Sequence, residues 1–279
     1  MKANGQNAVQ KLNSKAPANS IPSVRGLLSR DDYKRRFEEI LGQRSASFIA
    51  SITNATNTNP KLKECDPNSV ISAAVVAATL DLPIDPNLGF SYIIPYGKKA
   101  NFQLGYKAFV QLAIRSGQYA TMNVTEVYED ELDYYNPLTE EIKFTEMDTW
   151  EQRDKGDAKK IVGYYAYFKL LNGFEKGSYR TVKQVQQHGK KYSKTYNYSS
   201  SLWKTDFNAM AKKTVLKLLL NRWGILSVEM QKANIADQAS IKEGVIHGEE
   251  IDSSNVEYTD NPDFVDVEFV EVETKGDGK

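Results

Sequence analysis

One cysteine, Cys65, and two histidines, His188 and His247, are all the thiol and imidazole side chains that 279 residues offer. A lone cysteine excludes an intramolecular disulfide framework and a cysteine-rich metal site, and it suits a reducing compartment. Two widely separated histidines are too few for a histidine metal centre. Long apolar runs are missing as well. The longest, around "VISAAVVAATL", falls far short of the roughly 20 residues a membrane span needs. The opening "MKANGQNAVQKLNSKAPANS" lacks the apolar core of a secretory signal, so a soluble, cytoplasmic protein with no membrane partner is expected. No GxxxxGKS/T phosphate loop occurs, which excludes an ATP-driven recombinase of that type. No cofactor is expected, and the sequence leaves a magnesium requirement open. The acids of "EDELDYY" and "LTEEIKF" have no adjacent base or histidine to complete a nuclease centre, so they read as solvated strand and turn acids. No catalytic residue, and hence no enzyme, is expected.

An excess of either charge is lacking in sum, because 36 Lys and Arg face 36 Asp and Glu. The balance is not local. Between residues 176 and 222 eleven bases face one acid, Asp206, for a net charge of +10. From residue 226 onward 14 acids face 4 lysines, for a net charge of −10. A basic body joined to an acidic tail is the pattern of a polyanion-binding protein.

Residues 1–28, rich in Asn, Ser, Ala and Lys, are expected to form a flexible arm. "SRDDYKRRFEEILGQRSASFIASITNATNTN" has helical patterning, with Ser29 and Asp32 as a start signal and Phe37, Ile40 and Leu41 on one face. A second helix, about Asp66 to Leu80, has Pro67 in its first turn and a small-residue body that packs closely. "FSYIIPYGKKANFQLGYKAFVQLAIRSG" reads as two strands, a lysine-bearing turn and a helix stopped by Gly117. Further strands follow in "TMNVTEVYEDELDYY" and "EIKFTEM". "KKIVGYYAYFKLLNGFEKGSYRT" is a hairpin turning at Asn-Gly. Thr181 can cap a short helix, "VKQVQQH". A connection rich in Gly, Lys and Tyr leads to a long helix from about Ser201 to Trp223, ended by Gly224. This order predicts an α+β fold with helices packed on an antiparallel sheet. The core spans residues 29–225, and an acidic tail covers 226–279.

Three surfaces could carry a polyanion. Lys107, Gln111 and Arg115 are spaced i, i+4, i+8 and form one polar stripe, while Phe109, Leu112 and Ala113 point to the core. A stripe of this kind can follow phosphates, and an ordinary solvated face reads the same. On the long helix Lys204, Asn208 and Lys212 share an arc to which Arg222 returns, and Lys213 with Lys217 forms a second ridge. Five cations there meet only Asp206, so ligand anions are expected to relieve their repulsion. In the connection, Lys190, Lys191 and Lys194 alternate with Tyr192, Tyr196 and Tyr198. That mixture of cations and flat rings serves single-stranded nucleic acid, though the tyrosines could equally anchor a loop. Beside the lysine turn (Lys98, Lys99), Phe102 is either a stacking wedge or a core strand residue, and Gln103 joins the same candidate surface.

"LGFSYIIPYGKKANFQLGYKAFVQLAIRSGQY" and "WKTDFNAMAKKTVLKLLLNRWG" resemble the RecT family of phage single-strand annealing proteins, relatives of the phage lambda Beta protein. "KKYSKTYNYSSSLW" resembles that family's basic, tyrosine-containing segment ahead of the long helix. The resemblance covers residues 30 to 225. It implies an ATP-independent protein of homologous recombination that binds single-stranded DNA and pairs it with a complementary strand. It also implies that the annealed duplex is held in a homo-oligomer, a helical filament or ring, built on an α+β annealing fold. On that basis Lys107 and Arg115 form one wall of a DNA groove, and Lys204, Asn208, Lys212 and Lys213 another. Lys98, Lys99 and Phe102 act at the hairpin tip, and Lys190 and Lys191 in a connecting finger. From composition alone, a passive single-stranded DNA-binding protein fits as well. The "RDDYKRRFEEILGQR" helix could join neighbouring subunits. In the tail, "NPDFVDVEFVEVE" alternates Val265, Val267 and Phe269 with Asp266 and Glu268. It could add a strand to an exonuclease or single-strand-binding partner, fold onto the basic groove, or keep the chain soluble.

Overall fold

The computed structural model describes residues 22–146, 160–193, 196–199, 201–225 and 227–258. Residues 1–21 of the expected arm and the tail strand around Val265 lie outside the described residues.

Helices come first. α1 (Val24–Leu28) starts where the Ser23 hydroxyl accepts the Gly26 N–H at 3.1 Å, and it buries Val24, Leu27 and Leu28. The stretch expected to be flexible therefore ends in a helix, because three apolar side chains in five residues have a core to enter. Ser29 closes α1 by donating to the Arg25 carbonyl, so it does not start the next helix. α2 (Asp31–Leu41) begins without a side-chain cap, and Asp31 and Asp32 complement its positive end instead. Phe37 and Leu41 are buried as the spacing predicts. A short 3-10 turn, α3 (Ser45–Thr58) and α4 (Pro60–Lys63) lead to α5 (Pro67–Thr79). There Asp66 accepts the Asn68 N–H and Pro67 occupies the first turn. The alanine and valine body of α5 is buried throughout, and it forms the centre of the core.

β1 (Ser91–Tyr96) and β2 (Lys99–Leu104) pair antiparallel, with Tyr96 opposite Lys99 and Gly97-Lys98 as the two-residue turn. Gly97 has φ +58°, which such a turn requires of its first residue. α6 (Tyr106–Arg115) follows. β3 (Tyr119–Tyr128), β6 (Ile161–Leu170) and β7 (Glu175–Thr181) form a three-stranded antiparallel sheet. Between them in the chain, β4 (Leu132–Asn136) and β5 (Glu141–Phe144) pair, among the described residues, only with each other. α7 (Val182–Tyr192) opens with the expected cap, a reciprocal Thr181–Gln184 box.

The long helix expected from Ser201 is broken. α8 (Leu202–Thr205) and α9 (Phe207–Trp223) meet at Asp206, whose carboxylate accepts the Ala209 N–H and restarts the helix. Gly224 ends α9 as expected.

The core does not stop at residue 225. α10 (Val228–Ala236) leads to β8 (Ala239–Ile241), which pairs with β2, and β9 (Val256–Tyr258) pairs with β8. The resulting sheet has the order β1-β2-β8-β9. Met230, Ala233, Ala239, Ile241, Val245 and Ile246 are buried there, so the acidic stretch is a packed segment, with Asp237 inside it. The fold is α+β, with helices on antiparallel sheets. Among the described residues no helix is long and apolar enough to cross a membrane.

Candidate nucleic-acid interface

Most of the cations on α9 find their anions inside the chain. Lys212 Nζ lies 2.9 Å from Glu126 on β3, Lys213 and Lys217 lie 3.1 and 2.8 Å from Asp237, and Arg222 lies 3.5 Å from Glu140. The expectation that a ligand must relieve this helix is overturned for these four, because the relief comes from segments distant in sequence. Lys213 is buried, and the Asp237 carboxylate also accepts the Leu104 N–H at 2.8 Å. Burial alone would raise the Asp237 carboxyl, but the two ammoniums and the Leu104 N–H outweigh it and hold it below its ordinary range. Burial pushes the Lys213 ammonium down despite the opposing pull of Asp237. Lys213 is therefore a core ion-pair residue and not a groove wall.

Three other candidates change place. Phe102 is fully buried: β8 pairs beside β2, making β2 an inner strand, and the Phe102 ring belongs to the core cluster. It packs in the core and is no wedge. Arg115 donates to the carbonyls of Leu80 and Asp81 at 2.7 and 2.8 Å, so it satisfies the C-terminal end of α5. The stripe on α6 thereby divides. Lys107 is exposed and donates to the Leu88 carbonyl at 3.2 Å, while Gln111 is half-buried. Lys99 bridges to Glu257 of β9 at 2.5 Å, whereas Lys98 is exposed at the hairpin tip with no acid partner among the described residues.

The expected finger is largely helical. α7 runs on to Tyr192, so Lys190 and Lys191 occupy its last turn. Gly189, within α7, permits close approach: a Cβ there would lie 2.8 Å from the Tyr196 ring and 3.0 Å from Trp203. Tyr196 is buried against Trp203 at 5.5 Å between ring centroids, with the Lys204 ammonium 4.9 Å from its own ring. Tyr198, two residues on, is 61% exposed. Of these two rings one anchors and one is presented. Lys194 lies outside the described residues.

A groove of about 600 Å³ opens between the β1–β2 hairpin and the residues Ser193, Tyr198, Ser201, Leu202 and Trp203. Tyr96, Gln103, Tyr198, Leu202, Trp203 and Met210 line it. Lys61 also lines it, opposed by Glu64. Lys98 follows the lining residue Gly97, and Lys204 follows the lining residue Trp203. Flat rings and an amide inside suit single-stranded nucleic acid, since bases stack on rings, and exposed lysines adjoin the lining residues in sequence. Of the sequence candidates, Gln103 lines the groove, while Lys98 and Lys204 are exposed one residue beyond its lining. Lys107 and Lys212 belong to a neighbouring patch, where the Lys212 ammonium lies 5.8 Å from the ring of Tyr106. Asn208 is exposed and accepts the Tyr164 hydroxyl at 2.6 Å. Tyr96 and Lys61 were missed. Tyr96 adjoins the lysine turn and was visible there, but nothing local marks Lys61.

Among the described residues no three His, Cys, Asp or Glu side chains gather as a metal site would require.

The RecT family profile matches residues 46–256. Over 252 residues the chain is 48% identical to the uncharacterized protein YqaK of Bacillus subtilis (strain 168), covering 90% of this chain and 84% of that protein. Over 200 residues it is 30% identical to Protein RecT of Escherichia coli (strain K12), covering 68% of this chain and 70% of that protein. The profile match runs past residue 225 through α10 and β8, as the fold does. From α3 to the start of β9, this chain belongs to the RecT family.

Proposed function

We propose that this protein anneals complementary single strands of DNA in homologous recombination, in the cytoplasm, without ATP and as an oligomer of identical subunits. The observation that carries the reading is the family match over residues 46–256, a span that contains every residue lining the aromatic groove. The chemistry of that groove supports it. Two DNA strands repel until their phosphates are neutralised, and the exposed ammoniums of Lys98, Lys107, Lys190 and Lys204 lower that barrier. Contacts to the backbone leave base edges outward, so Watson–Crick pairing alone tests the sequence and the protein needs no base code. Tyr198 offers a ring on which any base can stack. No covalent step is involved, so the protein acts by binding.

The exposed Lys34, Arg35, Glu38 and Glu39 of α2 give a charged face for a neighbouring copy in a filament or ring. An exonuclease or single-strand-binding partner would dock on the acidic segment beyond residue 258.

The test is a strand-annealing time course without ATP, in which the protein meets one strand before its complement. Pairing faster than the spontaneous rate supports annealing. Tight binding with slowed pairing would make this a passive single-stranded DNA-binding protein. Sedimentation of the complex on long DNA checks the assembly, and species no larger than a dimer at high concentration would remove the oligomer from the proposal.

A further inference from the structure

At the end of α9 remote from the groove, the Glu140 carboxylate sits among three cations. Lys176 Nζ is 3.1 Å away, Arg222 Nη1 3.5 Å and Arg180 Nη2 4.0 Å. Three cations against one carboxylate leave a formal excess of two positive charges. Two of the same cations flank an indole: Lys176 Nζ and Arg222 Cζ lie 4.9 and 5.1 Å from the centroid of the Trp223 ring. Trp223 is 39% exposed, unusual for a tryptophan.

The acid reaches this cluster in an uncommon way. Glu140 has φ +56°, a left-handed conformation that glycine or asparagine adopts far more readily than glutamate. It sits at the turn of the β4–β5 hairpin, which pairs with no other strand among the described residues. The hairpin rests on the sheet through Tyr135 on Tyr179, Phe144 on Tyr165, a Tyr135 hydroxyl bond to the Tyr179 carbonyl at 3.5 Å and the ion pairs of Glu140 with Lys176 and Arg180. Its tip residue Leu138 is almost fully exposed. A strained acid at a hairpin turn thus occupies a cationic, aromatic site.

We propose that Lys176, Arg180, Arg222 and Trp223 form a second contact for single-stranded nucleic acid, and that the Glu140 carboxylate holds the place of a backbone phosphate until the strand arrives. The phosphate then takes over the three cations, a base stacks on Trp223, and the β4–β5 tip is displaced. The ligand class rests on the annealing reading, but the site is separate from the groove.

The experiment measures binding of labelled single-stranded DNA by the full chain across a salt series. Glu140→Gln is expected to bind several-fold more tightly and with a steeper salt dependence, because a phosphate no longer competes with a fixed carboxylate. Glu141→Gln, the adjacent acid paired with Lys143, controls for general removal of negative charge and should change neither quantity comparably. Trp223→Ala is expected to weaken binding roughly tenfold, within the range for one lost stacked base, while Trp223→Phe retains it. Glu140→Gln behaving like Glu141→Gln, or Trp223→Ala binding like wild type, would overturn the proposal. A wild-type chain that slows pairing while these variants shift affinity as stated overturns annealing and leaves this site in place.

Discussion

Lys213 Nζ lies 3.1 Å from the Asp237 carboxylate, with the two side chains 5% and 0% exposed. This pair, extended by Lys217 at 2.8 Å, ties α9 to the chain beyond residue 225. Breaking a buried ion pair from one side leaves an uncompensated charge, which costs about 3–5 kcal/mol. Asp237→Ala is expected to lose about that much, since it strands two ammoniums and the Leu104 N–H together. A denaturant melt reads the loss. Truncation after residue 225 removes the same carboxylate along with β8 and should yield an unfolded or aggregating chain. Truncation after Tyr258 should leave the midpoint unchanged. If the shorter chain melted like the full one, the segment from 228 to 258 would not be core.

His188 gives stability a pH dependence of known sign. Burial, followed by the nearby charges of Lys217, Arg180 and Lys191, holds its imidazole neutral and pushes its pKa down from 6.5 to about 4. The unfolded chain accepts a proton near 6.5 that the folded chain refuses. The contribution is therefore fully present above pH 6.5, declines as the pH falls, and levels off near pH 4. Its size is on the order of 2–3 kcal/mol. Melts of wild type and His188→Gln across this range should diverge, with the variant less sensitive to acid. Parallel curves would place the imidazole in water.

What the sequence discloses depends on how far away each residue's partner lies. The Gly97-Lys98 turn, the Thr181 cap and the Pro67 helix start rest on neighbours within a few positions, and all three appear where the pattern puts them. The fates of Phe102 and Lys213 are decided by β8 and Asp237, near the other end of the chain, so counting charges along one helix misassigns Lys213. The acid Lys212 faces on β3 is equally invisible locally. Tyr196 and Tyr198 look alike in sequence, and only the close approach allowed by Gly189 settles which ring is buried. A composition shift at residue 226 is real, yet it marks where an acidic stretch begins and not where packing ends.

Two glycines of the hairpin region should respond differently to alanine. At Gly105 a Cβ would lie 2.1 Å from the Gly89 carbonyl oxygen, a backbone atom that cannot swing aside. The Gly105 N–H also bonds to the Phe90 carbonyl at 2.7 Å, which fixes the two segments together. Gly105→Ala is expected to cost at or above the usual ~1–3 kcal/mol of overpacking. It should also weaken DNA binding by shifting the start of α6, which carries Lys107. Gly97 has open space around it and only its φ of +58° to lose, so Gly97→Ala should cost about 1–2 kcal/mol. Thermal melts showing equal losses would mean that the Gly105–Gly89 contact yields.

Salt dependence separates cations that meet DNA from those that hold the fold. Each phosphate contact to a single strand adds about 0.7 to the slope of log affinity against log salt. Lys98→Gln and Lys204→Gln, both exposed, should each weaken binding equally for all sequences and lower that slope by about this amount. Neither should move the melting midpoint far, because Lys98 has no acid partner among the described residues and Lys204 only caps the Tyr196 ring. Lys213→Gln should do the reverse, lowering stability while its remaining folded fraction keeps the wild-type slope. Lys212→Gln falls between, since its ammonium is held 2.9 Å from Glu126, and freeing that carboxylate beside Tyr106 would repel a strand passing there. It is expected to weaken binding with little change in slope. A full loss of 0.7 on Lys212→Gln would instead mean that Lys212 leaves Glu126 for a phosphate when DNA binds.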